Sequence, residues 1–199
     1  MRKMKWIAVL VLWLGTPNVF AQTGRPLVDT EDAAPLDAQR EKHALRILLT
    51  LAEKVIVSAA DAMPADKYGF APTEGEFKGV RTFGQQVKHL AAANHILAAA
   101  ALAEEPPADA GDEVGPETVR TKDEILNYLK GSFEHLSKAV DAIGQPSVSV
   151  NASPISPLKK GEGTRSALVV ESLFHAADHY GQMVEYLRMN GVVPPASRP

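Results

Sequence analysis

From about Asp37 onward the apolar residues fall into step. Ala44, Leu45, Leu48, Leu49, Ala52, Val55 and Ile56 recur at intervals of three and four, the spacing at which side chains stack along one face of an α-helix. The stripe predicts a helix from about Asp37 to about Ala62, stopped by Pro64, which cannot continue it. A second helix is predicted from Phe83, because Thr82 and Gln85 form a capping box in which each side chain satisfies the other's orphan backbone N–H. It runs to about Glu104 and ends at Pro106 and Pro107. It is apolar on most sides, through Ala91–Ala93 and Ile96–Leu102, as a helix buried nearly all round should be. Thr121 and Glu124 repeat the capping box ahead of a third helix, with Ile125, Leu129, Phe133, Leu136, Val140 and Ile143 as its stripe and Gly144 and Pro146 as its end. A fourth follows Gly163 and Thr164 and reaches about Asn190, with Gly191 as its C′ residue. Leu168, Ser172, His175, His179, Met183 and Tyr186 share one of its faces.

No repeat of fixed period appears. The segment 63–81 is rich in Gly and Pro and carries Tyr68, Phe70 and Phe77; the segment 145–163 is rich in Ser, Pro and Gly. Long connections of this kind are functional or packed by their own aromatics. Within the second, Val148-Ser149-Val150 suits only a brief extended segment, and Asn151-Ala152-Ser153 matches a glycosylation sequon. The pattern predicts an all-α fold, a four-helix bundle with long connections. Connections of that length reach along a helix, so strict up-down-up-down order is not forced.

The first residues follow another logic. Arg2, Lys3 and Lys5 precede the apolar run Trp6–Leu14, and Val19-Phe20-Ala21 places small residues at −3 and −1 of a cleavage point before Gln22. This predicts a secretory signal peptide over residues 1–21, then a polar, flexible leader over 22–36, then a bundle domain over 37–195. The expected location is the periplasm or the extracellular space, with no stable membrane span after cleavage. Removing residues 1–21 takes away three basic residues and no acid, moving the net charge from −3 to −6. An acidic surface argues against nucleic acid as a partner. The chain has no cysteine, so disulfides, a lipoprotein anchor and a thiol nucleophile are excluded.

Chemistry narrows to histidine. The six are His43, His89, His95, His135, His175 and His179. His175 and His179 are four apart, one helical turn, and face the bundle interior. Buried imidazoles need partners for their ring nitrogens, and a divalent metal serves both at once. A third ligand must come from another helix. His89 and His95, six apart on the second helix, do not share a face. His89 aligns with Ala93, Ile96 and Ala100, which slightly favours it as the inward one, and spacing alone leaves the choice open. Asp178 and Glu171 are candidate carboxylates beside the pair, as ligands or as orienting partners, and Tyr68 and Tyr180 are candidates to line the site. Haem-attachment, dinucleotide-binding, Walker and H-E-x-x-H motifs are absent from the sequence.

Two segments together resemble a known family. One is Phe83-Gly84-Gln85-Gln86-Val87-Lys88-His89-Leu90-Ala91, preceded by Tyr68-Gly69-Phe70-Ala71-Pro72. The other is Leu173-Phe174-His175-Ala176-Ala177-Asp178-His179-Tyr180-Gly181-Gln182, followed by Tyr186-Leu187-Arg188 and Gly191-Val192-Val193-Pro194-Pro195. In this order and separation they resemble the DinB-like (DinB/YfiT-like) superfamily of four-helix proteins, over roughly residues 37–195. The resemblance implies a divalent metal, zinc or nickel, held by His89, His175 and His179. Relatives include thiol-dependent transferases and isomerases, and a metal held by three imidazoles keeps open positions, so the expectation is a metal-dependent hydrolase or transferase acting on a small molecule; related bundles often dimerise, so a homodimer is expected too. The export signal sets this chain apart from members that use cytosolic thiols. The alternative expectation is a non-catalytic exported bundle whose site is structural or serves binding.

Overall fold

The structure is a computed structural model that describes residues 30–108, 110, 113–145, 155–158 and 163–199. The expected signal peptide, the Val148-Ser149-Val150 segment and the Asn151 sequon lie outside the described residues. Four helices form the fold: α1 (Thr30–Ala62), α2 (Phe83–Leu102), α3 (Lys122–Asp141) and α4 (Arg165–Met189), with short 3₁₀ turns at Ala65–Lys67 and Pro195–Ser197. Among the described residues there is no strand, and no helix is long and apolar enough to cross a membrane.

Both capping boxes form as the sequence predicts. Thr82 accepts from the Gln85 N–H and Gln85 from the Thr82 N–H; Thr121 and Glu124 do the same for α3. Thr164 caps α4 by accepting from the Ala167 N–H. Gly191, at φ +72°, lies just past the end of α4, where an L side chain would be strained. α1 differs from expectation in two ways. It starts at Thr30, so residues 30–36, read from sequence as leader, are helical. Leu36 in that stretch is exposed, so no apolar periodicity marks these turns. Leu48, expected in the core, is also exposed, whereas Leu45, Leu49 and Ile56 are buried. α1 packs on α3 and α4 and scarcely on α2, and an outer helix with two neighbours buries a narrower stripe than the sequence offers.

Cross-helix pairs fix the topology. Lys42 and Arg46 reach Asp141 while Lys122 reaches Asp61, so α1 and α3 are antiparallel. Asn94 meets Ser132, His95 meets His135 and Gly84 faces Ile125, so α2 and α3 are parallel. His89 meets His175 and Gln86 meets His179, so α2 and α4 are antiparallel. The bundle is therefore up-down-down-up. The connection from Ala103 to Thr121 must climb back along α2, a span of roughly 30 Å.

α2 is the central element. Only Gln85, Lys88, His95, Ala100 and Leu102 of its twenty residues escape full burial. Its start is pinned by the preceding loop: the N–H groups of Phe83 and Gly84 donate to the carbonyls of Phe70 and Tyr68 at 2.8 Å each. A Cβ at Gly84 would stand 3.1 Å from the Tyr68 ring and 3.2 Å from its carbonyl oxygen, so the close approach needs glycine. The Tyr68 hydroxyl donates to the Ala60 carbonyl at 2.8 Å, and its ring packs edge-on against Phe83 at 5.3 Å. The register of α2 against α1 and α4 is thereby set, and with it the height of Gln86 and His89.

Candidate metal centre

His89, on the second turn of α2, faces His175 and His179 on α4. The Nε2 atoms of His179 and His175 are 2.9 Å apart and those of His175 and His89 are 3.3 Å apart. The rings do not meet head-on. Centroids of His175 and His179 are 4.3 Å apart, those of His89 and His175 are 5.1 Å apart, and those of His89 and His179 are 4.8 Å apart, with interplanar angles of 67–88°. Such rings splay around a shared point at which their Nε2 lone pairs converge. Nitrogens bound about 2.0–2.1 Å from one zinc stand roughly 3 Å apart from each other. The three histidines therefore fit one divalent ion, and they form the only such group found among the described residues.

Burial keeps the imidazoles in the form a metal requires. It pushes His179 down to about 3, helped by the His175 and His89 rings, and His175 down to about 4, helped by the His89 ring, with the positive charge of Arg81 adding a smaller part to each. Asp178 partly opposes the shift at His175. Burial also lowers His89, against the opposing effect of the hydrogen bond it donates to the Glu113 carbonyl. All three are neutral at pH 7, with a lone pair free for coordination.

The outer ring nitrogens show how each ring is aimed. His89 Nδ1 donates to the Glu113 carbonyl at 2.8 Å, which leaves its Nε2 lone pair facing inward. Glu113 delivers that carbonyl from the left-handed region, at φ +63°, and its carboxylate lies 3.6 Å from the same Nδ1. His179 Nδ1 meets the Gln86 amide at 2.6 Å; Gln86 in turn meets Gln182 at 2.6 Å, and Gln182 donates to Asp178 at 2.9 Å. An amide presents oxygen or N–H by a half-turn. Here the nitrogen is the atom that faces His179 Nδ1, and it donates to Gln182 Oε1, so the amide fixes the plane of the imidazole. His175 Nδ1 is buried with no hydrogen-bond partner among the described residues.

The remaining sequence candidates lie elsewhere. His95 points into the α2–α3 seam, where its Nδ1 meets His135 Nδ1 at 3.1 Å with centroids 5.3 Å apart. That near-maximal centroid separation is the end-on geometry of an N–H···N hydrogen bond. Glu104 takes the other side of His135 at 3.3 Å. Glu171 accepts from Ser156 at 2.6 Å and orients no imidazole. Asp178 reaches His179 only through Gln182 and Gln86. Tyr68 is committed to Ala60, and Tyr180 packs against the apolar core, so no contact places either at the triad. The aiming residues that sequence reasoning missed are Gln86, Gln182 and Glu113. Gln86 carried a signal, a polar residue on a face of α2 that is otherwise apolar. Glu113 acts through its backbone, which no side-chain pattern reveals.

No curated protein matches the chain. Residues 48–183, which take in all three histidines and the whole of α2 and α3, match the DinB superfamily; with this triad at the α2–α4 seam of a four-helix bundle, the chain belongs to that superfamily.

Proposed function

We propose that this protein is a metal-dependent enzyme, a hydrolase or transferase acting on a small molecule at a divalent ion held by His89, His175 and His179. The observation that supports it is the convergence of three neutral imidazoles with no fourth protein ligand beside them among the described residues. Three-ligand sites with open positions are the catalytic pattern, whereas structural sites are closed by four. A zinc or nickel ion in such a site supplies Lewis acidity to a substrate oxygen or sulfur. The chain's own residues hold the rings neutral, fix their orientation through Glu113 and Gln86, and shield one side of the site with the packed α2–α4 seam. The expected export of the chain belongs to the same proposal, and intact-mass measurement of the secreted form, starting at Gln22, tests it.

Elemental analysis of residues 22–199 beside a His89/His175/His179 triple alanine variant tests the site. About one equivalent of metal in the native protein and none in the variant is the expected result. No uptake by the native protein, even after reconstitution with zinc, nickel and manganese, refutes it. A structural role is the second reading, because the triad joins α2 to α4. A His175→Ala protein that stays folded but loses turnover favours catalysis; one whose stability falls only as far as metal removal lowers it favours the structural role.

A further inference from the structure

The turn that brings the Glu113 carbonyl to His89 lies across α2, and the helix residue before His89 fastens it there. Lys88 extends its ammonium to two carbonyls of that turn, Pro116 at 3.1 Å and Val119 at 3.4 Å. Its aliphatic stem runs against Gly115, where an added Cβ would stand 2.9 Å from Lys88 Cγ and 3.3 Å from the Tyr128 ring. Gly115 and Pro116 are buried, and Lys88 is half-buried. The Gly115 N–H donates to the Ala110 carbonyl at 3.1 Å and the Val119 N–H to the Pro116 carbonyl at 3.2 Å, which ties the turn together on either side of the lysine. The turn therefore grips α2 at two consecutive residues, Lys88 and His89. Glu113 sits in this grip at φ +63°. That conformation is unfavourable for a residue with a Cβ and persists only where its surroundings enforce it. The hydrogen bond from the neutral His89 ring, at 2.8 Å, is a modest restraint; the bonds from the Lys88 ammonium are charge-assisted and stronger.

We infer that Lys88 is a positioning residue for the metal centre. By holding the 113–119 turn on α2 it keeps the Glu113 carbonyl against His89 Nδ1, and so keeps His89 Nε2 turned toward His175 and His179. The inference rests on the metal-site reading above. Lys88 touches neither the other two rings nor the point where they converge; it acts through the turn. Without its grip Glu113 relaxes out of the left-handed region, the carbonyl swings away, and His89 loses the acceptor that fixes its ring.

The test measures zinc affinity by chelator competition, and the urea midpoint of the metal-free protein, in native, Lys88→Met, Lys88→Arg and Gly115→Ala forms and in the Lys88→Met/Gly115→Ala double variant. Lys88→Met keeps the stem and removes the donors. Expected is zinc affinity weaker by about tenfold in Lys88→Met and in Gly115→Ala, as for loss of a group that orients a ligating imidazole. Lys88→Arg should recover part of the loss. Because both substitutions act through one turn, the double variant should bind little worse than the weaker single one. The His89 Nδ1–H proton resonance should broaden in the same variants as its acceptor departs. Native zinc affinity in Lys88→Met, with only the urea midpoint lowered, makes Lys88 a brace for the fold and overturns the inference. Losses that multiply in the double variant overturn it too. If Lys88→Met does not fold, Gly115→Ala decides, and native affinity there overturns it equally. No zinc uptake by the native protein overturns it together with the metal-site reading.

Discussion

Acidifying the metal-free protein tests the buried triad directly. An unfolded histidine titrates near 6.5, whereas burial holds His175 at about 4 and His179 at about 3 in the folded chain. Between pH 6.5 and those lower values the unfolded chain binds protons that the folded chain refuses. Stability from these groups is therefore complete above pH 6.5 and drains away as pH falls toward the folded values. At pH 4.5 each residue has forfeited roughly two pH units at about 1.4 kcal/mol per unit, or about 5 kcal/mol for the pair. His89 shifts in the same direction and adds to the loss. Against a domain stability of about 5–15 kcal/mol, this is enough to bring the apo protein close to unfolding. Urea unfolding at pH 7.5, 6.5, 5.5 and 4.5, in the presence of a chelator, measures it. A variant carrying His175→Asn and His179→Asn should lose about 5 kcal/mol less over the same range. Parallel loss in the two proteins between pH 6.5 and 4.5 would show that the rings are solvated in the native state and refute the reasoning.

Removing the amide that aims His179, by Gln86→Ala, should weaken metal binding about 10- to 100-fold while leaving the helical circular dichroism unchanged; competition against a metallochromic chelator reads it. Ala103 occupies the left-handed position after α2 at φ +59°, with the Glu104 N–H closing onto the Ala99 carbonyl at 2.8 Å, so Ala103→Gly should stabilise by about 1 kcal/mol and raise Tm by roughly 2–4 °C. Leu136, fully buried on α3, should cost about 2–5 kcal/mol on replacement by alanine, read as a lower urea midpoint. The buried chain from Ser172 through Asn94 to Ser132, at 2.8 and 3.2 Å, should make Asn94→Ala cost about 1–3 kcal/mol by stranding the Ser172 hydroxyl, whereas Ser132 keeps its bond to the Leu129 carbonyl.

Helix starts were the most legible part of the fold, because Thr82, Thr121 and Thr164 declare them chemically. The α3 stripe was equally plain: Ile125, Leu129, Phe133, Leu136, Val140 and Ile143 are all buried. The start of α1 was hidden because residues 30–36 carry no apolar stripe in the sequence. Helix order was not legible either. Nothing in the capping or the stripes states that α2 and α3 run parallel, which the Ala103–Thr121 connection makes possible. For the site, spacing paired His175 with His179, and the family resemblance, more than periodicity, selected His89 over His95. Seam geometry explains that choice: His89 faces α4 and His95 faces α3. Glu113 stayed hidden because its backbone carbonyl reaches a ring 24 positions away in sequence.

The split of the triad between α2 and α4 also sets when it comes into being. His175 and His179 lie 86 and 90 positions beyond His89, on the last helix of the bundle. A ribosome or translocation channel releases the chain from its N-terminus, so α1, α2 and α3 emerge while two of the three ligands are still withheld. Tight metal capture must wait until α4 docks. Any metal the triad takes up is therefore taken up last, and the compartment in which the twenty-five-residue α4 settles is the one whose metal supply would decide which ion that is.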